Sequence, residues 1–196
     1  MASKRTEHAN WTVVRHGEST WNERGLIQGQ NDTSRLTEQG REQALELASE
    51  LRDERYDAVF SSDLTRCIET ASILVRVLGG TILTTPLLRE RSFGEAESRP
   101  LSTLTPLLTG IAGTRVIDEH ARPENGESLR ELYDRTRQFV RETVETYDDA
   151  RLLVVTHGGT IRAMDAYVTG TPLQEWHWGG VSNCSRWELA VPVALP

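Results

Sequence analysis

The sequence predicts an α/β domain in three layers, a mostly parallel central sheet flanked by helices on both faces. Two observations carry this. Short apolar, β-branched runs alternate with segments of helical period along nearly the whole chain, the pattern of a parallel sheet covered by helices. Two of these runs, Val13-Val14 and Val154-Val155, end alike, in Arg15-His16-Gly17 and Thr156-His157-Gly158. In an open α/β sheet, ligands bind outside the carboxyl ends of the strands, so both histidines are expected in one crevice, with the glycine after each letting the backbone approach a ligand closely.

Taken in order, Trp11 to Val14 is the first strand, breaking at Arg15-His16-Gly17. From Thr37 to Asp53, Ala44, Leu47, Ala48 and Leu51 recur at helical spacing, with Thr37 placed as N-cap. Asp57 to Ser61 is a strand. Leu64 to Leu78 is a second helix, with Leu64, Ile68, Ala71, Val75 and Leu78 on one side and Gly79-Gly80 as its stop. Thr81 to Thr85 is again β-branched. Little period remains between Glu90 and Asn125, where Gly and Pro recur, and a substrate lid is expected at about 91–125. Leu129, Leu132, Tyr133, Thr136, Val140, Val144 and Tyr147 mark a long helix from about Glu127 to Tyr147. An apolar strand, Leu152 to Thr156, a short helix, Thr160 to Val168, and a last strand, Ser185 to Val191, complete one expected domain, 1–196.

The chain of 196 residues, 37% hydrophobic, is long enough to bury one core. Its net charge of -7 argues against nucleic acid as a partner, because that attraction needs a basic face. A phosphate site must then be a local positive pocket in an acidic surface. Cys67 and Cys184 lack paired spacing, so neither a disulfide framework nor a cysteine-based zinc site is expected. Met1 to Asn10 has no apolar h-region, and no apolar run approaches the roughly 18 residues of a membrane span. A cytoplasmic protein without a membrane partner is the expectation.

For chemistry, Arg15 and Arg66 are candidate phosphoryl ligands, since guanidinium forks match phosphoryl oxygens and stay protonated. Arg66 lies just inside a helix that follows a strand, where anions are favoured. The plainer alternative is a surface arginine paired with Glu69 or Asp63. Glu90, after Pro86-Leu87-Leu88, is placed for a general acid, with Glu95 and Glu97 as alternatives. Trp21 is a pocket candidate by its proximity to His16. Trp176, His177 and Trp178 are assigned to packing or to a subunit contact, which leaves room for a homodimer.

The segment Arg15-His16-Gly17-Glu18-Ser19-Thr20-Trp21-Asn22 resembles the signature of the histidine phosphatase superfamily, the phosphoglycerate mutase-like proteins. The resemblance continues in order through Gln28-Gly29, Asp32, Leu36-Thr37, Gly40, Gln43-Ala44, Ser61-Ser62, Arg66, Thr70-Ala71, Glu90, Phe93-Gly94, Gly126-Glu127-Ser128 and Thr156-His157-Gly158-Gly159. It implies that His16 attacks phosphorus and becomes phosphohistidine. Arg15, Arg66 and His157 would hold the phosphoryl oxygens, with Asn22 a further donor, and Glu90 would protonate the leaving group. The substrate-binding set is then Arg15, Trp21, Asn22, Gln28, Arg66, His157 and Gly158, with no metal and no cofactor. Two departures bear on the substrate. Asp32-Thr33-Ser34-Arg35-Leu36 holds one residue more than the family's Asp-x-Pro-Leu, and Ser98 stands where the family commonly has glycine.

Rival nucleophiles fail on spacing. Neither cysteine begins a Cys-x5-Arg loop, and Asp-x-Asp, Gly-x-Ser-x-Gly and Gly-x4-Gly-Lys are all absent. Within the family a phosphatase is favoured over a phosphoglycerate-type mutase, because Ser98 to Gly113 carries only Arg99 as a cation. A non-catalytic phosphate-binding protein of the same fold is the other alternative. The expected partner is a small phosphorylated metabolite. Leu101, Leu104, Leu107, Leu108 and Ile111 in the lid point to a mixed or moderately apolar leaving group.

Overall fold

The computed structural model describes residues 8–104, 118–175 and 180–192. Five strands form one sheet in the order β3-β2-β4-β1-β5, where β1 is His8–Arg15, β2 Ala58–Ser62, β3 Ile82–Thr85, β4 Leu152–Thr156 and β5 Arg186–Pro192. All neighbours are parallel except β5, which runs antiparallel to β1 along the edge. Among the described residues the α-helices are α1 (Thr20–Glu23), α2 (Glu38–Glu50), α3 (Thr65–Leu78), α4 (Leu129–Thr146) and α5 (Gly158–Thr169).

Alternation along β4 shows why there are three layers. All five of its residues are buried, as a central parallel strand requires. Leu152 and Val154 join Trp11, Val13, Phe139, Val140, Ile161 and Met164 in a core beneath α4 and α5. Leu153 and Val155 point the other way and join Val14, Leu47, Ala48, Leu51, Cys67, Ala71 and Leu74 beneath α2 and α3. The expected fold class is therefore the observed one.

Boundaries moved where capping outweighs apolar period. Thr37 caps α2, its hydroxyl accepting from Gly40 N at 3.0 Å, as expected. Ser128 caps α4 in a reciprocal box with Glu131, so that helix starts at Leu129 instead of Glu127. The helix α3 has no cap of its own. The Asp32 carboxylate, from the segment with the extra residue, accepts from Thr65 N at 2.6 Å and Thr65 Oγ1 at 2.9 Å. The short helix α1 carries no sequence period and was not expected. Within the expected lid, Gly94–Ala96 and Leu101–Leu104 form single 3-10 turns. Leu107, Leu108, Ile111, Trp176, His177 and Trp178 lie outside the described residues. No helix among the described residues is long and apolar enough to cross a membrane.

The topology sets the place of the site. β1 and β4 are adjacent, with Arg15 in register with Thr156, so His16 and His157 leave the sheet side by side. From β1 the chain turns toward α2 on one face, and from β4 toward α5 on the other. This divergence opens a crevice at the carboxyl end of the sheet, the usual ligand position in such folds.

Candidate active site

A cavity of about 240 Å³ occupies that crevice. His16, Arg15, Arg66, Glu90, His157 and Gly158 line it, with Asn22 and Gln28 at its side. They come from the end of β1, from α1 and the loop after it, from α3, from the loop after Leu88 and from the junction of β4 with α5, at positions as far apart as 15 and 158.

His16 is 2% exposed, and its Nδ1 lies 2.7 Å from the carbonyl oxygen of Gly17. A carbonyl only accepts, so Nδ1 carries the proton and donates it. The lone pair is left on Nε2. Burial, and then the charges of Arg66 and Arg15, hold this imidazole well below the ordinary histidine value near 6.5, so it is neutral. His157, fully buried, follows the same logic with the nitrogens exchanged. Arg66 Nη2 donates to His157 Nδ1 at 3.2 Å, so Nε2 carries the proton and meets Ser62 Oγ at 2.9 Å. Burial first, then Arg66, keeps this ring neutral too.

Arg66 is fully buried, which rules out the surface pairing considered from sequence. Asp63 pairs with Arg89 at 2.6 Å, and Glu69 accepts from Leu36 N at 2.8 Å. Arg66 donates to Asn31 O at 3.0 Å and Gly29 O at 2.8 Å, while its Nε has no partner. Arg15 donates from Nη1 to Val181 O, and its Nε is likewise buried and unpartnered. Two buried guanidinium N–H groups without acceptors mark an anion site, since an unmade bond to a buried charged donor is costly.

Both Glu90 oxygens are held by backbone: Oε1 accepts from Arg91 N at 2.9 Å and Oε2 from Gly159 N at 3.1 Å, near the start of α5. The alternatives to Glu90 are placed elsewhere. Glu97 braces the loop, accepting from Gln30 N at 2.9 Å and Phe93 N at 3.0 Å, and Glu95 is exposed beside Asn125. Asn22 Oδ1 accepts from Ser19 N at 3.2 Å and Asn183 Nδ2 at 3.3 Å, which turns its own NH2 group away from these donors. Ser19 Oγ donates to Gln28 Oε1 at 2.8 Å, tying Gln28 to the same small network. Among the described residues, no group of three or more His, Cys, Asp or Glu side chains has the arrangement of a metal site.

Two expectations need correction. Trp21 does not line the cavity. Successive helical positions point about 100° apart, so the turn that aims Asn22 inward aims Trp21 elsewhere. Gly17 does not serve ligand approach: a β-carbon there would overlap the backbone of Gly40 in α2. Gly158 does line the cavity, and a β-carbon there would make only ordinary contacts with Val181 and Arg15.

Sequence reasoning missed Asn183, Arg91 and Arg162. Asn183 Nδ2 donates to His16 O at 3.0 Å, from a loop with no motif of its own. Arg162 lines the cavity one turn into α5. Its signal was present but masked, because a helix begun at Thr160 leaves Arg162 out of step with Gly158 and Gly159.

The profile of the histidine phosphatase superfamily, branch 1, matches residues 11–191. The chain belongs to the histidine phosphatase superfamily. A relative named "Probable phosphoglycerate mutase GpmB" from Yersinia pestis (strain Pestoides F) is 35% identical over 181 residues, covering 88% of this chain and 80% of its own. Among solved structures, a mycobacterial glucosyl-3-phosphoglycerate phosphatase in complex with VO3 superposes with a TM-score of 0.82 at 29% identity, covering 93% of this chain and 92% of that one. The alpha-ribazole phosphatase of Shigella flexneri gives 0.72 at 30% identity, covering 83% and 81%. The superfamily membership agrees with the resemblance read from Arg15-His16-Gly17, and its relatives include both a mutase and phosphatases.

Proposed function

We propose that this histidine phosphatase superfamily member is a metal-independent phosphatase of small phosphomonoesters, with His16 as the nucleophile. One observation carries the reading: His16 Nδ1 is committed to Gly17 O, so the neutral ring offers its Nε2 lone pair within a cavity that four guanidiniums and one carboxyl also line. In the first step Nε2 attacks phosphorus as the ester P–O bond breaks, and Glu90 gives a proton to the departing oxygen. Arg15 and Arg66 balance charge on the transferring group. In the second step Glu90 takes a proton from water, water attacks phosphorus, the P–N bond breaks, and phosphate leaves.

The mutase reading keeps one point in its favour, the GpmB relative. A mutase must exclude water while it holds its intermediate, and the cation supply expected for a sugar-acid mutase is not seen in the sequence from Ser98 to Gly113. The test is phosphate release from p-nitrophenyl phosphate and 3-phosphoglycerate by purified protein without added metal. Wild type is expected to release phosphate and to yield an acid-labile phosphoenzyme on quenching, and His16→Ala to do neither. Exchange between phosphoglycerates without net phosphate would establish the mutase instead, and unchanged release by His16→Ala would remove the nucleophile assignment.

A further inference from the structure

Glu90 stands on open chain. The 3-10 turn Pro86–Leu88 ends two residues before it, so the carbonyls from Leu87 to Glu90 have no ladder or long helix to enter and must be satisfied by side chains. Thr156 Oγ1 donates to Leu88 O at 2.6 Å, Thr160 Oγ1 to Arg89 O at 2.7 Å and Gln30 Nε2 to Glu90 O at 3.1 Å. Arg135, from the second turn of α4, reaches three of these four carbonyls at once. Its Nη1 donates to Leu87 O at 2.8 Å and Arg89 O at 2.9 Å, and its Nη2 to Glu90 O at 3.3 Å.

Glu127 aims this fork. Its Oε1 accepts from Arg135 Nε and its Oε2 from Arg135 Nη2, both at 2.9 Å, which completes the five N–H groups of the guanidinium. The same Oε2 accepts from Ser92 N at 3.2 Å, and the Glu127 backbone N–H donates to Ser92 O at 2.9 Å. The acid segment is therefore held on both sides of Glu90, by Arg135 up to Glu90 itself and by Glu127 after it. Docking α4 does not require this arginine, because Phe139, Val140 and Val144 already bury that helix in the core beneath the sheet. Every acceptor that Arg135 has lies between Pro86 and Glu90 or in Glu127, and neither Arg135 nor Glu127 lines the cavity.

We propose that Arg135, oriented by Glu127, is the positioning residue of the acid: it sets the backbone at Glu90 so that the carboxyl meets the leaving-group oxygen. This rests on the phosphatase reading, in which Glu90 gives that proton, and adds the residues that place it. It also gives a task to Glu127 in the Gly126-Glu127-Ser128 segment.

The test follows kcat/KM, which reports the first transfer, on two esters. The alkoxide of 3-phosphoglycerate needs a proton to leave, and the phenolate of p-nitrophenyl phosphate does not. Glu90→Gln should lower the first far more than the second. Arg135→Met should do the same on a smaller scale, about 10- to 100-fold on 3-phosphoglycerate and less than about threefold on p-nitrophenyl phosphate, the scale of a displaced catalytic group. Competitive inhibition by inorganic phosphate should keep its wild-type constant, because Arg15 and Arg66 are untouched. Arg135→Lys, which keeps a charge opposite Glu127 and so keeps the fold, has no fork and should retain most of the loss. In a Glu90→Gln background, with no acid left to place, Arg135→Met should lower neither rate further. Equal losses on the two esters, a loss that persists in the Glu90→Gln background, or full recovery by Arg135→Lys would overturn the positioning role. If Glu90→Gln itself leaves the ratio of the two esters unchanged while His16→Ala abolishes phosphate release, the acid assignment fails and the positioning role with it. Unchanged release by His16→Ala would instead remove the phosphatase reading as a whole, so the failures are distinguishable.

Discussion

The imidazoles of His16 and His157 stand 5.2 Å apart, edge to face at 64°, yet their tautomers are opposite. Both rings are buried and held neutral. Their unfolded forms bind a proton more readily than the folded ones, so stability is whole above the ordinary histidine value near 6.5 and falls as the pH drops through it. The two together should cost about 2 to 3 kcal/mol between pH 7.5 and 5.5. Urea unfolding at the two pH values measures this, and a flat profile would mean that the rings are protonated in the folded protein.

Gly159 is a second point of control. A β-carbon at this position would overlap the Glu90 carboxylate, the mobile end of a side chain. Gly159→Ala should leave the melting temperature within a few degrees of wild type while displacing the acid. The expected loss in kcat is roughly 10- to 100-fold on alkyl phosphates, the scale of a misplaced catalytic group. It should be smaller on p-nitrophenyl phosphate, whose phenolate leaves without a proton. An equal loss on both substrates would argue against acid catalysis by Glu90.

Asn183 braces the His16 segment from outside the cavity lining. Its Nδ2 donates to His16 O and Asn22 Oδ1, and the next residue, Cys184, sits at a left-handed φ of 53° with its N–H on Arg15 O. Asn183→Ala should lower kcat about tenfold, the scale of one lost hydrogen bond, with KM little changed. Asn183→Asp, of the same shape without the donor, should fail to restore it. A change confined to stability would reduce Asn183 to a loop residue.

Ser98 holds a φ of 71°, the left-handed region, in an exposed turn whose N–H donates to Ile27 O at 2.9 Å. A side chain there is strained, so Ser98→Gly should stabilise the protein by about 0.5 to 1 kcal/mol. In a chain of this size that is about 1 to 4 °C of melting temperature. The departure from the family's glycine is thus a stability cost borne at the edge of the cavity loop.

What could be read from the sequence was local. Val13-Val14 and Val154-Val155 have strand period whatever surrounds them, and Leu64 to Leu78 repeats every turn, so the elements and fold class were legible in order. His16 and His157 were legible because each follows such a run, whereas Glu90 stood beside Glu95 and Glu97 as a candidate and only the family resemblance singled it out. The edges of helices were less so, since Ser128 and Asp32 settle them by hydrogen bonds that periodicity does not encode.

By itself, then, the sequence determined the layers and the strand ends, because these follow from periodicity within short windows, while Arg66 and Glu90 were singled out by the family resemblance and not by their local pattern. Only the tertiary structure decided how the atoms of the site are arranged. Gly17 O chooses the tautomer of His16, Arg66 chooses that of His157 across 91 positions, and Gly40 dictates the glycine at 17. Arg162 entered the cavity because α5 begins at Gly158, and Trp21 left it because α1 turns about 100° between neighbours. Such choices depend on distances between segments remote in the chain, and packing sets those distances only when the whole sheet has formed.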